Sequence, residues 1–165
     1  LQDRIDSIHG LKTAHYENAV NSGAVSLRPG VLKLMDEALS AGLQLSIATT
    51  TSPVNIAALL SHAVGADWRM NFTAIGDAST APLKKPHPQV YLQMLAALKL
   101  PASACLALED SNNGLRAATA AGLATVITTN PFTLHHDFTG ALKVLPDLSM
   151  VNLARLRQWH AEFSR

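Results

Sequence analysis

Two adjacent carboxylates, Glu109 and Asp110, end the short apolar run Cys105 to Leu108. Carboxylate oxygens are hard donors of the kind Mg²⁺ prefers, and that ion takes only one or two of them from a protein. Further upstream, Lys85 stands directly before Pro86, and Thr49, Thr50, Thr51 and Ser52 close a second apolar run. A hydroxyl and an ammonium can hold the oxygens of a transferring phosphoryl group. A carboxylate-bound cation can neutralise the charge that develops on it. Thr49, Lys85 and the Glu109-Asp110 pair are therefore candidate parts of one phosphoryl-transfer site. Singly, each has a plainer reading. Thr49 could be an N-cap or strand-end residue, and Asp110 or Ser111 could cap the next helix. Lys85 could be a solvated charge on an apolar stem.

The elements around these residues decide whether they can meet. Residues Asp3 to Val20 read as a helix, with Ile5, Ile8, Leu11, Ala14, Ala19 and Val20 on one stripe and Gly10 as a weak spot. Asn21-Ser22-Gly23 ends it. Pro29 and Gly30 then introduce a helix from Val31 to Leu39. Leu43 to Ala48 reads as a strand, and Pro53 starts a helix that runs past Leu60 to Val64. A weaker strand, Phe72 to Ile75, leads through a polar loop to a helix from Gln89 to Leu98. Cys105 to Leu108 does not alternate in polarity, which marks a strand buried on both faces. Leu115 to Ala121 is the following helix, closed by Gly122, and Ala124 to Thr129 is the next strand. After the polar loop Thr133 to Thr139, Val144-Leu145 reads as a short edge strand and Met150 to Phe163 as an amphipathic helix.

Strand and helix thus alternate from Leu43 to Ile127, the pattern of βαβ units and a parallel sheet. Right-handed crossovers leave all strand C-termini on one edge, where such sheets place their ligands. The threonines, Lys85 and the carboxylate pair all fall on that edge.

Composition narrows the partners. Of 165 residues 48% are apolar, and 13 basic residues balance 12 acidic ones, which argues against disorder and against a broad charged surface for nucleic acid or membrane. No apolar run is long enough to span a bilayer. The seven histidines show no metal-ligand spacing, and the single Cys105 excludes a disulfide within the chain, which fits a reducing, cytoplasmic setting. A monomer acting on a small molecule is expected. The chain opens on Leu1 rather than Met, already inside a helical pattern, and reads as a piece of a longer protein.

At this point a family resemblance enters. Ala48-Thr49-Thr50, Lys85-Pro86-x-Pro88 and Leu108-Glu109-Asp110-Ser111-x-x-Gly114 resemble motifs two, three and four of the haloacid dehalogenase-like (HAD) phosphohydrolases. Within that superfamily the chain is similar to the β-phosphoglucomutase-like group, and there to the CbbY-type sugar-bisphosphate phosphatases. Leu27-Arg28-Pro29-Gly30-Val31, Ile47 to Thr51, Lys84-Lys85-Pro86 and Asp137-Phe138 have the look of that branch. The resemblance implies a Rossmann-like α/β core with a parallel sheet. It implies that Thr49 hydrogen-bonds the phosphoryl group and that Lys85, rather than Lys84, bridges phosphate and nucleophile. It implies that Glu109 and Asp110 bind Mg²⁺. Thr50, Asn113 and Lys12 would contact substrate, Lys12 from the last helix of a small helical cap through Ile8-His9-x-x-Lys12-Thr13-x-x-Tyr16. Residues 1–24 would belong to that cap and residues 25–165 to the core. Gln89 stands where many relatives carry Asp, a helix-start difference without chemical consequence.

One departure is large. The family's nucleophile lies in an Asp-x-Asp sequence at the end of its first core strand, and this sequence contains no Asp-x-Asp. Asp3 and Asp6 lie in the cap helix pattern with no strand before them. The resemblance therefore implies a core without its first, central strand, and a gap between the strands that end at Thr49 and Glu109. The expected parent is a Mg²⁺-dependent phosphatase of a small phosphorylated sugar, working through an aspartyl-phosphate, with this chain inactive alone. The alternatives are a phosphomutase of the same group and a non-catalytic remnant of the fold.

Overall fold

A computed structural model of the chain describes residue 11 and residues 14–16, 18–20 and 22–163. Residues 11, 14–16 and 18–20 are helical, in keeping with the first helix expected. The remainder of that helix, including Ile8, His9, Lys12 and Thr13 of the cap signature, lies outside the described residues, whereas Tyr16 is described.

Helix α1 spans Val31–Ser40 and leads to strand β1, Ser46–Ala48. Helix α2, Pro53–Ala63, is capped by the Ser52 hydroxyl, which accepts from the Asn55 amide, with Pro53 at the first position where its missing N–H costs nothing. Strand β2, Ala74–Gly76, follows, then helix α3, Gln89–Leu98. Strand β3 is Leu106–Glu109, helix α4 Asn112–Ala120 and strand β4 Ala124–Thr128. Strand β5, Lys143–Leu145, and helix α5, Leu153–Phe163, complete the core.

Several bounds differ from the sequence expectation, each for a local reason. Helix α4 starts at Asn112 instead of Leu115, because the Ser111 hydroxyl accepts from the Gly114 amide at 3.1 Å and caps the earlier turn. Helix α5 starts at Leu153 instead of Met150, because Asn152 Oδ1 accepts from the Arg155 amide at 2.8 Å. Strand β1 is shorter than Leu43 to Ala48. Its one partner, β2, offers three residues, in the register Ser46↔Ala74, Ile47↔Ile75 and Ala48↔Gly76.

The strands are all parallel, but they form two sheets rather than one. The smaller is β1–β2. The larger is β3–β4–β5, with Leu106↔Ala124 through Glu109↔Ile127 on one side of β4 and Val126↔Lys143 through Thr128↔Leu145 on the other. Strands β1 and β3 face each other without pairing, and an apolar cavity of about 500 Å³ lies between them, lined by Leu45 and Ala48 on one side, Leu106 and Leu108 on the other, and Met94. This gap stands where the resemblance omits the first core strand.

Helices cover both faces. Val90 and Tyr91 of α3 and Leu115, Ala117 and Ala118 of α4 are buried; all but Leu115 share one cluster with Ala107 of β3. Leu34 of α1 and Leu156 of α5 pack with Val126 on the other face. Ile56 and Leu60 of α2 pack with Trp68 beside the smaller sheet. Arg28 ties the entry of the core to the larger sheet, its guanidinium donating to the carbonyls of Thr129 and Pro146 just past β4 and β5. Gly30 follows in the left-handed region, φ 85°, and a Cβ there would overlap the backbone of Leu148. Both the turn and the close approach demand glycine. Among the described residues no helix is long and apolar enough to cross a membrane.

Candidate active site

The C-terminal ends of β1 and β3 are joined by one side chain. Lys85 Nζ donates to the Ala48 carbonyl at 2.8 Å and to Glu109 Oε1, so it spans the gap between the two sheets. The pair is largely removed from water, with side chains 14% exposed for Lys85 and 7% for Glu109. Such a pair is retained at a desolvation cost, and breaking it leaves a buried charge without a partner. Of the two adjacent lysines only Lys85 turns inward, and Lys84 is exposed. The segment before α3 is held by Gln89, whose side-chain oxygen accepts from the Leu83 amide at 2.8 Å.

The Glu109 carboxylate is held on two sides. Tyr91 of α3 donates its hydroxyl to the same Oε1. The Lys85 ammonium lies 5.0 Å from the centre of the Tyr91 ring, within cation–π range. The other face of the carboxylate rests on Gly114 in the first turn of α4, where any Cβ would overlap it. Helix α4 thus begins under Glu109. Burial above all, then the charge and hydrogen bond of Glu109 and the charge of Asp110, push the Tyr91 phenol far above its ordinary value. It is therefore a permanent donor.

Asp110, the next residue, lies past the end of β3 and is exposed. Asn130, just after β4, donates to its Oδ2 at 3.2 Å. Thr49 continues β1, its amide donating to Gly76 O at 3.0 Å. Its hydroxyl accepts from the Thr51 amide at 3.2 Å, a strand-end role as in the plainer reading, and its own proton is left for another acceptor. Thr50 is half-buried in the same turn. Asn113 is exposed on the first turn of α4. It is Asn112 that binds the neighbouring loop, through Asp137 O and through His136 Nδ1, which accepts from its amide at 3.2 Å. Lys12 is not among the described residues. The structure thus brings Lys85, Glu109 and the end of β1 into direct contact, and sets Asp110 beside them.

Two further residues of this edge escape the motif reading. Tyr91 has a signal in hindsight. Val90, Tyr91 and Met94 form the buried stripe of α3, and a tyrosine in an aliphatic stripe needs an acceptor for its hydroxyl. Asp77, at the end of β2, has none. It is buried, and its carboxylate accepts from the Ser79 amide and hydroxyl at 2.8 and 2.6 Å. Burial works to raise its pKa, but these bonds together hold it below the ordinary carboxylate value.

No group of three or more His, Cys, Asp or Glu side chains gathers among the described residues. Zinc, which takes three or four such ligands, does not suit this donor set. Mg²⁺ does, because it keeps several waters and takes one or two carboxylates plus substrate phosphate. Glu109, cradled over a glycine that leaves room for nothing larger, and Asp110 beside it fit that demand.

The family model described as a haloacid dehalogenase-like hydrolase matches residues 2–122. The plasmid-borne protein CbbY of Cupriavidus necator is 48% identical over 176 residues, covering 97% of this chain and 69% of that protein. The chain belongs to the haloacid dehalogenase-like hydrolases, on their CbbY branch. CbbY of Rhodobacter capsulatus is 43% identical, covering 88% of the chain and 64% of that protein. The crystal structure of CbbY from Rhodobacter sphaeroides in complex with phosphate superposes with a TM-score of 0.86 at 38% identity, over 93% of this chain and 68% of that one. A mutant of the same protein, solved with xylulose-(1,5)bisphosphate, also superposes at 0.86 and 38% identity, over 92% and 68%. The chain therefore spans roughly two thirds of the length of these relatives.

Proposed function

We propose that the protein carrying this chain is a Mg²⁺-dependent phosphatase of a small phosphorylated sugar, with a sugar bisphosphate as its substrate class. The observation that carries this reading is Lys85. A buried ammonium bridges the ends of two parallel strands and touches a carboxylate suited to Mg²⁺, at the sheet edge where α/β folds bind ligands. The xylulose-(1,5)bisphosphate bound to a CbbY relative supports the substrate class.

In this reading Glu109 and Asp110 would hold Mg²⁺, which would supply positive charge to the phosphoryl oxygens. Lys85 supplies a second cation and gives up its contact with Ala48 O to take a phosphate oxygen. The Thr49 hydroxyl donates its unspent proton to another. These groups stand in place before the substrate arrives, so little reorganisation accompanies the transfer. Glu109 and Asp110 are poor nucleophiles, because ligation occupies the lone pairs that attack requires. The attacking carboxylate is assigned, through the family resemblance, to an Asp-x-Asp segment in the parent protein. Its attack would break the bond between phosphorus and the sugar oxygen, the sugar leaving as a hydroxyl with a proton from the segment's second aspartate. The aspartyl-phosphate left behind would be hydrolysed by water to inorganic phosphate and the free carboxylate. Thr50, Asn113 and Lys12 are assigned to substrate, Lys12 as part of a cap formed with residues 1–24. We take it to act as a cytoplasmic monomer.

The test is to express the parent protein from its coding sequence, including whatever precedes Leu1, and to supply xylulose-(1,5)bisphosphate with and without Mg²⁺. Release of inorganic phosphate that a chelator abolishes is the expected result. Interconversion of sugar phosphates without release would make it a phosphomutase. Neither activity, with sugar phosphate still bound, would make it a non-catalytic member of the fold.

A further inference from the structure

We propose that Tyr91 is a positioning residue of this site, fixing the Glu109 carboxylate in one orientation and keeping the Lys85 ammonium from committing wholly to it. The inference rests on the proposed reading of the site but concerns a residue that the family's motifs leave out.

Three contacts meet on one ring. The hydroxyl donates to Glu109 Oε1, the oxygen that also takes Lys85. The ring face lies 5.0 Å from the Lys85 ammonium. The ring itself is clamped, 6% exposed, in the cluster of Val90, Ala107, Ala117 and Ala118. Tyr91 is therefore anchored to α3, α4 and β3 at once, and its hydroxyl cannot follow Glu109 if the carboxylate moves. With Gly114 closing the opposite side, the carboxylate has one orientation open to it.

The two roles follow from different atoms. Without the hydroxyl, Oε1 would have only Lys85 as donor, and the carboxylate would turn with the lysine instead of staying in place for a cation. Lys85 would then be drawn onto Glu109 and be less free to exchange Ala48 O for a phosphate oxygen. The ring face offers the ammonium a partial counter-charge without a fixed bond, so the lysine can shift toward a phosphate oxygen while staying partly compensated. A phenylalanine would keep the face and the packing and lose only the donor. That makes the hydroxyl separable by experiment.

The test uses the parent protein and Tyr91→Phe. Partners of a ligating carboxylate typically matter about 10–100-fold for metal affinity or activity. We expect Mg²⁺ affinity without substrate, read by calorimetry, to weaken about tenfold. We expect kcat to fall by about the same factor with KM unchanged within about twofold, since positioning acts on the transferring group more than on substrate capture. A double-mutant cycle follows the route. In a Glu109→Gln background, Tyr91→Phe should change Mg²⁺ affinity less than about twofold, and an undiminished effect there would overturn the proposal. A variant that only melts lower, with Mg²⁺ affinity and kcat as in the wild type, would also overturn it. So would a Phe variant that fails to fold, because the hydroxyl would then hold the fold and not the site. If the wild-type parent neither binds Mg²⁺ nor releases phosphate, the reading of the site fails and this inference falls with it. If the wild type does both and Tyr91→Phe matches it, only the inference fails.

Discussion

Strands β3 and β4 run side by side in one sheet, yet they live in different environments. All five residues of β4 are buried, and four of its side chains, Ala124, Thr125, Val126 and Ile127, are fully so. In β3 only Ala107 is buried, and Leu108 is 43% exposed. The two strands are about equally apolar in sequence. The difference is neighbours. Strand β4 is paired on both edges and covered by helices on both faces, whereas β3 has one paired edge and turns the other to the gap that separates it from β1. The closed region holds the core and the open one holds the chemistry. Lys85, Tyr91 and Glu109 gather where the sheet is interrupted, and a single lysine crosses the interruption.

The comparison breaks most visibly at Lys85. In the parent protein, Lys85→Ala should lower kcat by about a hundredfold to a thousandfold, the scale seen when a preorganised electrostatic group is removed. Lys84→Ala should stay within about twofold, since an exposed lysine contributes little. Phosphate release measured on both variants decides it, and the reverse order would mean that the inward lysine has been misassigned.

Stability should separate the strands next. Ile127→Ala removes a fully buried side chain from β4 and should cost about 2–5 kcal/mol in a denaturant melt of the parent protein. Leu108→Ala tells whether the gap is filled there. If a strand of the parent pairs with β1 and β3, Leu108 becomes core and its loss costs a comparable amount. If the gap stays open, Leu108→Ala costs under about 1 kcal/mol, the scale of a partly exposed site. Residues 1–165 expressed alone should melt without sharp cooperativity or aggregate through the unpaired edges, and should show no Mg²⁺-dependent turnover. A cooperative melt with turnover lost in Asp110→Asn would contradict that.

The smallest effect lies on the closed side and sharpens the contrast by pH. Glu37 of α1 caps α5: its Oε2 accepts from the Leu153 amide at 2.7 Å, and Oε1 pairs with Lys33 at 3.3 Å. The Leu153 bond, chiefly, holds its pKa below the ordinary value of 4.5. A carboxylate lowered on folding stabilises the fold above its unfolded pKa, and that contribution is lost as pH falls through the folded value. Glu37→Gln should therefore lower the melting temperature slightly at pH 7 and make no difference well below pH 4. A difference that persists in acid would show that Glu37 acts by packing and not by charge.

Much of this molecule was legible in the chain itself. The order of strands and helices followed from apolar runs and their periods, because burial on a sheet or a helix stripe leaves its pattern in local sequence. Helix α3 was read with its bounds unchanged, since Pro88 and the apolar stripe after it mark its start. The edge shared by the threonines, Lys85 and Glu109 followed from parallel crossovers alone. What the sequence left open depends on contacts between distant segments. Which donors share Glu109 Oε1 is decided by α3 packing over β1 and β2 and against α4, which brings together residues separated by 18 positions for Tyr91 and 24 for Lys85. The start of α4 hangs on a Ser111 cap, and the length of β1 on what β2 can offer it. Composition could not foretell that two equally apolar strands would differ in burial, because burial belongs to the neighbours a residue meets and not to the residue. The gap between β1 and β3 was already implied by the resemblance; only the tertiary structure set Lys85 across it.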